Sequence, residues 1–336
     1  MQFISLASTA TLKSYPSWEK AAISTKQADP FCCTPDWQLS FHEAYSPNRR
    51  LLIEETSDCT IAFAEKFFSP RNVYLTPIEP NWFFGCPLLG RYAVELLSEA
   101  MSYFARRYRS CYPKILISGI RPGGTLCRRL LQTFDRNFNI SFHSEVLQCM
   151  ASLAGGIDGY LSRRSANHRS KLKKGARRAR EHGISFERIS PSSFKEAESV
   201  YSRMLHVEQA SWKGIGQCGM AKPPEKQFYA TMMRRLSVSQ KGRIIFAKHE
   251  TKDIGFIFGG MAGNIYRGQQ FSYDDAWKHY SLGNLMQIEQ IKWLCEEGAK
   301  RYDMGMGPLT GPRMEYKSHW TEQKAKIQTW ILEKTA

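Results

Sequence analysis

Paired metal or redox ligands are missing from this sequence. Its nine cysteines (Cys32, Cys33, Cys59, Cys86, Cys111, Cys127, Cys149, Cys218 and Cys295) are scattered and odd in number, with no Cys-x-x-Cys pair. That excludes a zinc finger and a dithiol redox centre, and it points to free, buried thiols. Cys32 and Cys33 are adjacent and not easily bridged to each other, and nothing singles out a thiol nucleophile. The eight histidines show no paired spacing, so neither a metal site nor a Ser-His-Asp triad can be argued. No apolar run approaches the length a bilayer requires. Met1 to Ala10 lacks the basic start and long apolar stretch of a secretory signal, so the expected location is cytoplasmic. Helix-turn-helix and RNP signatures are absent as well, which ranks a purely nucleic-acid-binding or anionic-surface-binding role last.

What is present suits a folded chain of two domains. Hydrophobic residues make up 42% of the 336 residues, enough for a sizeable core. Acidic residues are scarce beside basic ones, 31 against 47, for a net charge of +16. The imbalance is local. Nine cations and no acid lie between Arg163 and Arg180. Leu161, Leu172, Ala176 and Ala179 run along one side of this stretch, as on a helix. A solvated helix normally mixes in glutamate, so charge of one sign points to an anion held nearby, with Arg169, Lys173, Lys174 and Arg177 as the candidates. A plain solvated face is the alternative.

Alternation and punctuation give a mixed α/β order. A helix is expected after Thr34-Pro35, with Thr34 as its cap. Strands are expected over about 51–68 as a hairpin and over 72–78, then a helix over 92–108, a strand over 114–119 and a helix over 125–134. Residues 1–30 read as a loose lead-in or one short strand, and 77–90 as an irregular loop. In the second half, helices are expected over 191–210 and 228–236 and strands over 243–249 and 253–262. A further strand over 266–274 leads through Ser281-Leu-Gly into a helix closed by Gly298, and a short strand follows. A strand feeding a helix whose first turn is Ser/Gly-rich can hold an anion on unpaired backbone N–H groups, although an ordinary βαβ unit with Ser281 as a simple cap gives the same letters.

Several motifs occur in a suggestive order. They are Phe31 with Pro35-Asp-Trp37, Leu161-Ser-Arg-Arg-Ser-Ala-Asn-His-Arg169 before the basic helix, and Glu208-Gln-Ala-Ser-Trp-Lys-Gly214. Tyr273-Asp274, Ser281-Leu-Gly-Asn-Leu285, Tyr302-Asp-Met-Gly305 and Tyr316-Lys-Ser-His-Trp320 follow. From about residue 31 to 320 this order resembles the FemAB-like group of GNAT-superfamily acyltransferases, which includes CelD-type proteins and the Fem aminoacyltransferases. No heptad-patterned arm is present, so the resemblance is to an armless form.

The resemblance implies two GNAT-like lobes, residues 1–155 and 156–336, with mixed central sheets flanked by helices. It implies acyl transfer from acyl-CoA to an amine acceptor, with aminoacyl-tRNA as the alternative donor and no metal. A tRNA contact would fall on residues 163–180. Ser281, Leu282, Gly283 and Asn284 stand where such enzymes cradle the CoA pyrophosphate, but the usual glycine-rich signature is reduced here to one glycine. Lys317 resembles a lysine held beside the reacting group, behind a longer linker than usual. It is a candidate oxyanion stabiliser or phosphate clamp, or else a surface lysine on a strand edge. Tyr273, Asp274 and Asp303 at strand ends are candidates for the catalytic group that removes the amine's proton, with Asp303 equally suited to a structural role. Trp212, Lys213 and Tyr316 are candidates for acceptor contact, although a tryptophan is more often core. The strands over 266–274 and 301–305 should splay apart, with the Ser281 helix at the mouth of the opening.

Overall fold

A computed structural model describes residues 15–25, 29–69, 72–108, 112–308 and 310–335. The expectations for residues 1–14 and for Cys111 therefore lie outside the described residues. The chain divides into two compact units, residues 1–147 with 325–336, and residues 148–324. The break falls earlier than the expected boundary after residue 155, and the last strand goes with the first unit rather than the second.

Unit 1 opens with helix α1 (Pro16–Ser24), where the sequence reading had a lead-in or a strand. Its apolar period is short, and a tertiary bond fixes it: Trp18 Nε1 donates to the Cys33 carbonyl at 2.8 Å. Helix α2 (Pro35–Tyr45) starts as expected, with Thr34 Oγ1 accepting from the Trp37 N–H and Pro35 in the first turn. Strands β1 (Leu51–Glu55), β2 (Cys59–Ser69), β3 (Asn72–Pro77) and β4 (Leu88–Gly90) follow. The segment read as an irregular loop thus contains a strand. It is organised by Glu79, whose buried carboxylate accepts from the N–H groups of Asn81, Trp82 and Phe84 at 2.7, 2.5 and 3.1 Å. Burial pushes the Glu79 carboxyl up to about 7. Helix α3 (Ala93–Arg107) buries Val94, Leu97, Met101 and Phe104 along one face. Strand β5 (Lys114–Ile120) and helix α4 (Thr125–Phe134) complete the local elements, and β6 (Phe138–Ser152) begins in this unit.

Unit 2 takes the end of β6 and adds α5 (Gly156–Ser162), α6 (Ala166–Glu181), β7 (Ile184–Ile189), α7 (Phe194–Ala210), α8 (Trp212–Ile215) and α9 (Glu225–Val238). It continues with β8 (Gly242–His249), β9 (Lys252–Ala262), β10 (Ile265–Tyr273), α10 (Leu282–Glu296), β11 (Arg301–Gly307) and α11 (Pro312–Trp320), before β12 (Gln323–Lys334) closes the chain. The strand order is β1-β2-β3-β5-β12-β6 in unit 1, with β4 on β2, and β6-β11-β10-β9-β8-β7 in unit 2.

Strands β8 and β9 of unit 2 are covered on both faces, which explains why β9 is almost uniformly apolar. Ile245, Ala247 and Ile257 pack with Ala179 of α6 and Leu282, Leu285 and Met286 of α10. On the other face, Tyr229 of α9 meets Phe258 edge-on and Arg203 of α7 lies 4.0 Å from the Phe246 ring centroid. Among the described residues, the cysteines are free thiols and mostly buried. Also among them, no helix is long and apolar enough to cross a membrane.

Candidate functional site

Strands β10 and β11 run parallel and pair only through Ile265–Arg301, Tyr266–Tyr302 and Arg267–Asp303. β10 then continues to Tyr273 and β11 to Gly307 without further pairing, so the two part and leave a wedge. The last pair is also an ion pair: Asp303 Oδ1 lies 3.9 Å from Arg267 Nε, both side chains being buried. Asp303 further accepts from the Gly305 N–H at 2.6 Å and from Gln148 Nε2 at 2.5 Å. Gly305 has φ of +80°, and a Cβ there would sit 2.3 Å from Arg267 Nη1, so both backbone and space require glycine. Asp303 is thus locked into the sheet with its oxygens occupied, the structural alternative of the sequence reading rather than a base.

A register shift in the β9–β10 ladder falls between Gly268 and Gln270, leaving Gln269 as a bulge. Beyond it the alternation can be fixed. The Asp274 N–H donates to the Ile254 carbonyl at 2.9 Å. Residues 272 and 274 therefore turn their peptide groups toward β9, and Phe271 and Tyr273 turn theirs toward the wedge. The Phe271 carbonyl on that side is taken by Lys213 Nζ at 2.8 Å, and the same ammonium donates to Gln270 Oε1 at 3.0 Å. Across the wedge, Lys317 Nζ donates to the Met306 carbonyl of β11 at 3.1 Å. Each lysine thus donates to a strand carbonyl, and the Phe271 carbonyl also accepts from Ser272 Oγ at 2.8 Å. The Phe271 and Tyr273 N–H groups point into the opening.

Lys213 is held by the segment the sequence singled out. Ser211 caps the short helix α8. Glu208, fully buried, accepts from Ser272 Oγ and from the Met220 N–H, and its Oε2 lies 4.0 Å from Lys213 Nζ. Burial lowers the Lys213 pKa, against the pull of Glu208. Glu208 was missed as a site residue although it begins the quoted motif. Trp212, by contrast, is 58% exposed beside Lys213 and not core.

The first turn of α10 borders the same opening. A Cβ on Gly283 would lie 3.1 Å from Phe271 Cε2 and 3.6 Å from Tyr273 Cε1. Ser281 does not cap the helix with its side chain. It sits in the left-handed region at φ 57°, and its carbonyl accepts from the Asn284 and Leu285 N–H groups. The N–H groups of Leu282 and Gly283 therefore have no acceptor within the helix. Tyr316 of α11 stacks on Phe271 at 6.2 Å, and its hydroxyl is buried without a hydrogen-bond partner, as is Gln269 Nε2. Burial pushes the Tyr316 phenol well up.

Other candidates lie differently. Lys317 is on helix α11 and half-buried, not on a strand edge. Asp274 caps the 3-10 turn Asp275–Tyr280 through the Ala276 N–H and pairs with Lys252 at 2.8 Å, so both of its oxygens are engaged. Arg169 is turned inward onto the Arg164 and Leu161 carbonyls, which removes it from the anion-facing set. Lys173, Lys174 and Arg177 are exposed on α6, with Arg177 near Glu181 at 3.7 Å. The middle of that helix meets the start of α10, since a Cβ on Gly175 would touch Leu285 at 3.5 Å. Arg178 donates to the His279 carbonyl just before α10. Among the described residues, no group of three or more His, Cys, Asp or Glu could hold a metal ion.

Residues 166–318 match the family model of the acetyltransferase (GNAT) domain. No curated protein matches the sequence. Among solved structures, FemX is similar over 93% of this chain and 94% of its own, with a TM-score of 0.67 at 10% identity. The structure of L-PGS from Bacillus licheniformis is similar over 96% of this chain and 93% of its own, with a TM-score of 0.58 at 14% identity. At such identities the likeness is one of fold: GNAT-like α/β, with a mixed sheet flanked by helices. The family match gives a GNAT domain over residues 166–318, and the solved structures add a likeness of fold.

Proposed function

We propose that this chain, with its GNAT acyltransferase domain, transfers an acyl group from acyl-CoA to an amine in the wedge between β10 and β11. The observation that carries this reading is the parting of the strands after Arg267 and Asp303, with the Phe271 and Tyr273 N–H groups on the open side. A thioester carbonyl laid along β10 would direct its oxygen at one of those donors, which lie two residues, about 6.8 Å, apart. The amine nitrogen attacks the carbonyl carbon, and the π pair moves to oxygen, where that preorganised N–H group stabilises it. Collapse re-forms the carbonyl and breaks the C–S bond. The thiolate leaves with that electron pair and takes up the proton lost by nitrogen. Neither Asp274 nor Asp303 has an oxygen to spare as base, so a water chain from the opening carries this proton.

The Leu282 and Gly283 N–H groups, with the α6 cations alongside α10, suit the donor's phosphates. Lys213 and Tyr316 line the acceptor side, and Trp212 offers an exposed face beside it. The cytoplasm is the compartment that this reading assigns.

The exposed cations of α6 favour a second reading, in which the donor is aminoacyl-tRNA and an ester C–O bond is broken instead. Native mass spectrometry for co-purified CoA or tRNA, followed by binding measured against salt, separates the two. With acyl-CoA the salt dependence is shallow, and Lys173→Gln, Lys174→Gln, Arg177→Gln changes it little. With tRNA it is steep, and the same substitutions flatten it by about three phosphate contacts' worth. Binding of neither donor leaves only the anion-binding role and contradicts the proposal.

A further inference from the structure

One end of the unit 1 sheet gathers the end of β2, the start of β3, the start of β5 and the end of β12. Tyr74 of β3 lies opposite Lys114 of β5 in the parallel pair, and Leu332 opposite Ile115 in the antiparallel one. The C-terminal turn of α3 joins them through Tyr108, whose ring meets that of Phe67 edge-on at 6.3 Å. Phe67 and Phe68 are both 58% exposed. Phe68 meets Tyr74 edge-on at 5.1 Å, beside the point where the β2–β3 register skips between Phe67 and Ser69.

Cations surround these rings. Lys66 Nζ lies 4.5 Å from the Phe68 ring centroid, Lys114 Nζ 5.8 Å from Tyr74, and Arg107 5.6 Å from Tyr108. Lys334 lies over both Phe138 and Tyr112, at 5.2 and 5.8 Å. Two carboxylates face this set. Glu65 is buried and bound by Arg107 and Tyr108, and Glu333 pairs with Lys114 at 2.7 Å. With Arg107 and Lys114 ion-paired, Lys66 and Lys334 carry the positive charge of this end, and Phe67 and Phe68 are exposed there.

We propose that this end of unit 1 docks on an anionic bilayer surface, inserting Phe67 and Phe68 at the headgroup level. Aromatic side chains favour that boundary, and basic residues gain from the surface potential of anionic lipids. An isolated pair of rings inside a cationic collar is too small an apolar patch for a stable protein interface. Stacking of nucleic-acid bases is disfavoured because Lys66 already occupies a face of Phe68. The proposal is independent of the acyl-transfer reading.

The test is flotation of the full chain with vesicles of phosphatidylcholine alone, or of phosphatidylcholine with phosphatidylglycerol. Wild type should float with the second and not the first. Phe67→Ser/Phe68→Ser should lower the partition coefficient by about tenfold or more while leaving the thermal midpoint unchanged, since both rings are already exposed. Lys66→Gln/Lys334→Gln should weaken binding and flatten its salt dependence. Absence of flotation overturns the proposal, as does undiminished flotation of the double Phe variant, which would put the contact elsewhere, on α6. Binding of a single-stranded RNA oligonucleotide through Phe67 and Phe68, in place of vesicles, overturns it too.

Discussion

Asp303→Ala should destabilise the protein by about 3–5 kcal/mol, the cost of breaking a buried ion pair from one side. The substitution removes the carboxylate beside the buried Arg267 guanidinium and the acceptor of the Gly305 and Gln148 N–H groups. Arg267→Met/Asp303→Ala should recover part of the loss, because no uncompensated charge remains. Urea unfolding of the three proteins measures both effects. A loss below about 0.5 kcal/mol in Asp303→Ala, within the scatter of surface substitutions, would mean that the pair does not fix the point at which the strands part.

Lys317→Met should cut turnover about a hundredfold, with donor affinity nearly unchanged. Its ammonium is bonded to the Met306 carbonyl of β11, as that of Lys213 is to the Phe271 carbonyl of β10. On the proposed reading, a charge fixed there would stabilise an oxyanion developing in the wedge. Weakened donor binding with turnover intact at saturation would make Lys317 a phosphate clamp instead. Unchanged turnover and affinity would reduce it to a cap on β11.

The local elements were legible wherever a cap or a period marked them. Thr34-Pro35 announced α2, and Ser281-Leu-Gly with Gly298 bracketed α10. What escaped depends on partners distant in sequence. Helix α1 is held by the Trp18–Cys33 bond across the chain. Strands β6 and β12 went unread because their burial is irregular and their neighbours are far away in sequence, as when β12 pairs with β5. The wedge was legible as an opening. Its occupants were less so, since a carboxylate at a strand end reads as a base until its partners are known. Arg267 occupies Asp303, and Lys252 with the 3-10 turn occupies Asp274. The Asp-x-Gly spacing did carry a signal, because only a glycine at 305 leaves room for Arg267. Ser281 looked like a cap because serine usually is one, and only its left-handed backbone shows otherwise.

The central claim is that the donor binds along the open edge of β10 with its phosphates at the start of α10. Amide-resolved NMR titration with a non-hydrolysable acyl-CoA analogue tests it most directly. The account predicts the largest shifts at the Phe271, Tyr273, Leu282 and Gly283 N–H groups, with smaller changes on α6 beside Gly175. Saturable binding that leaves those four amides unmoved and shifts residues elsewhere would contradict it.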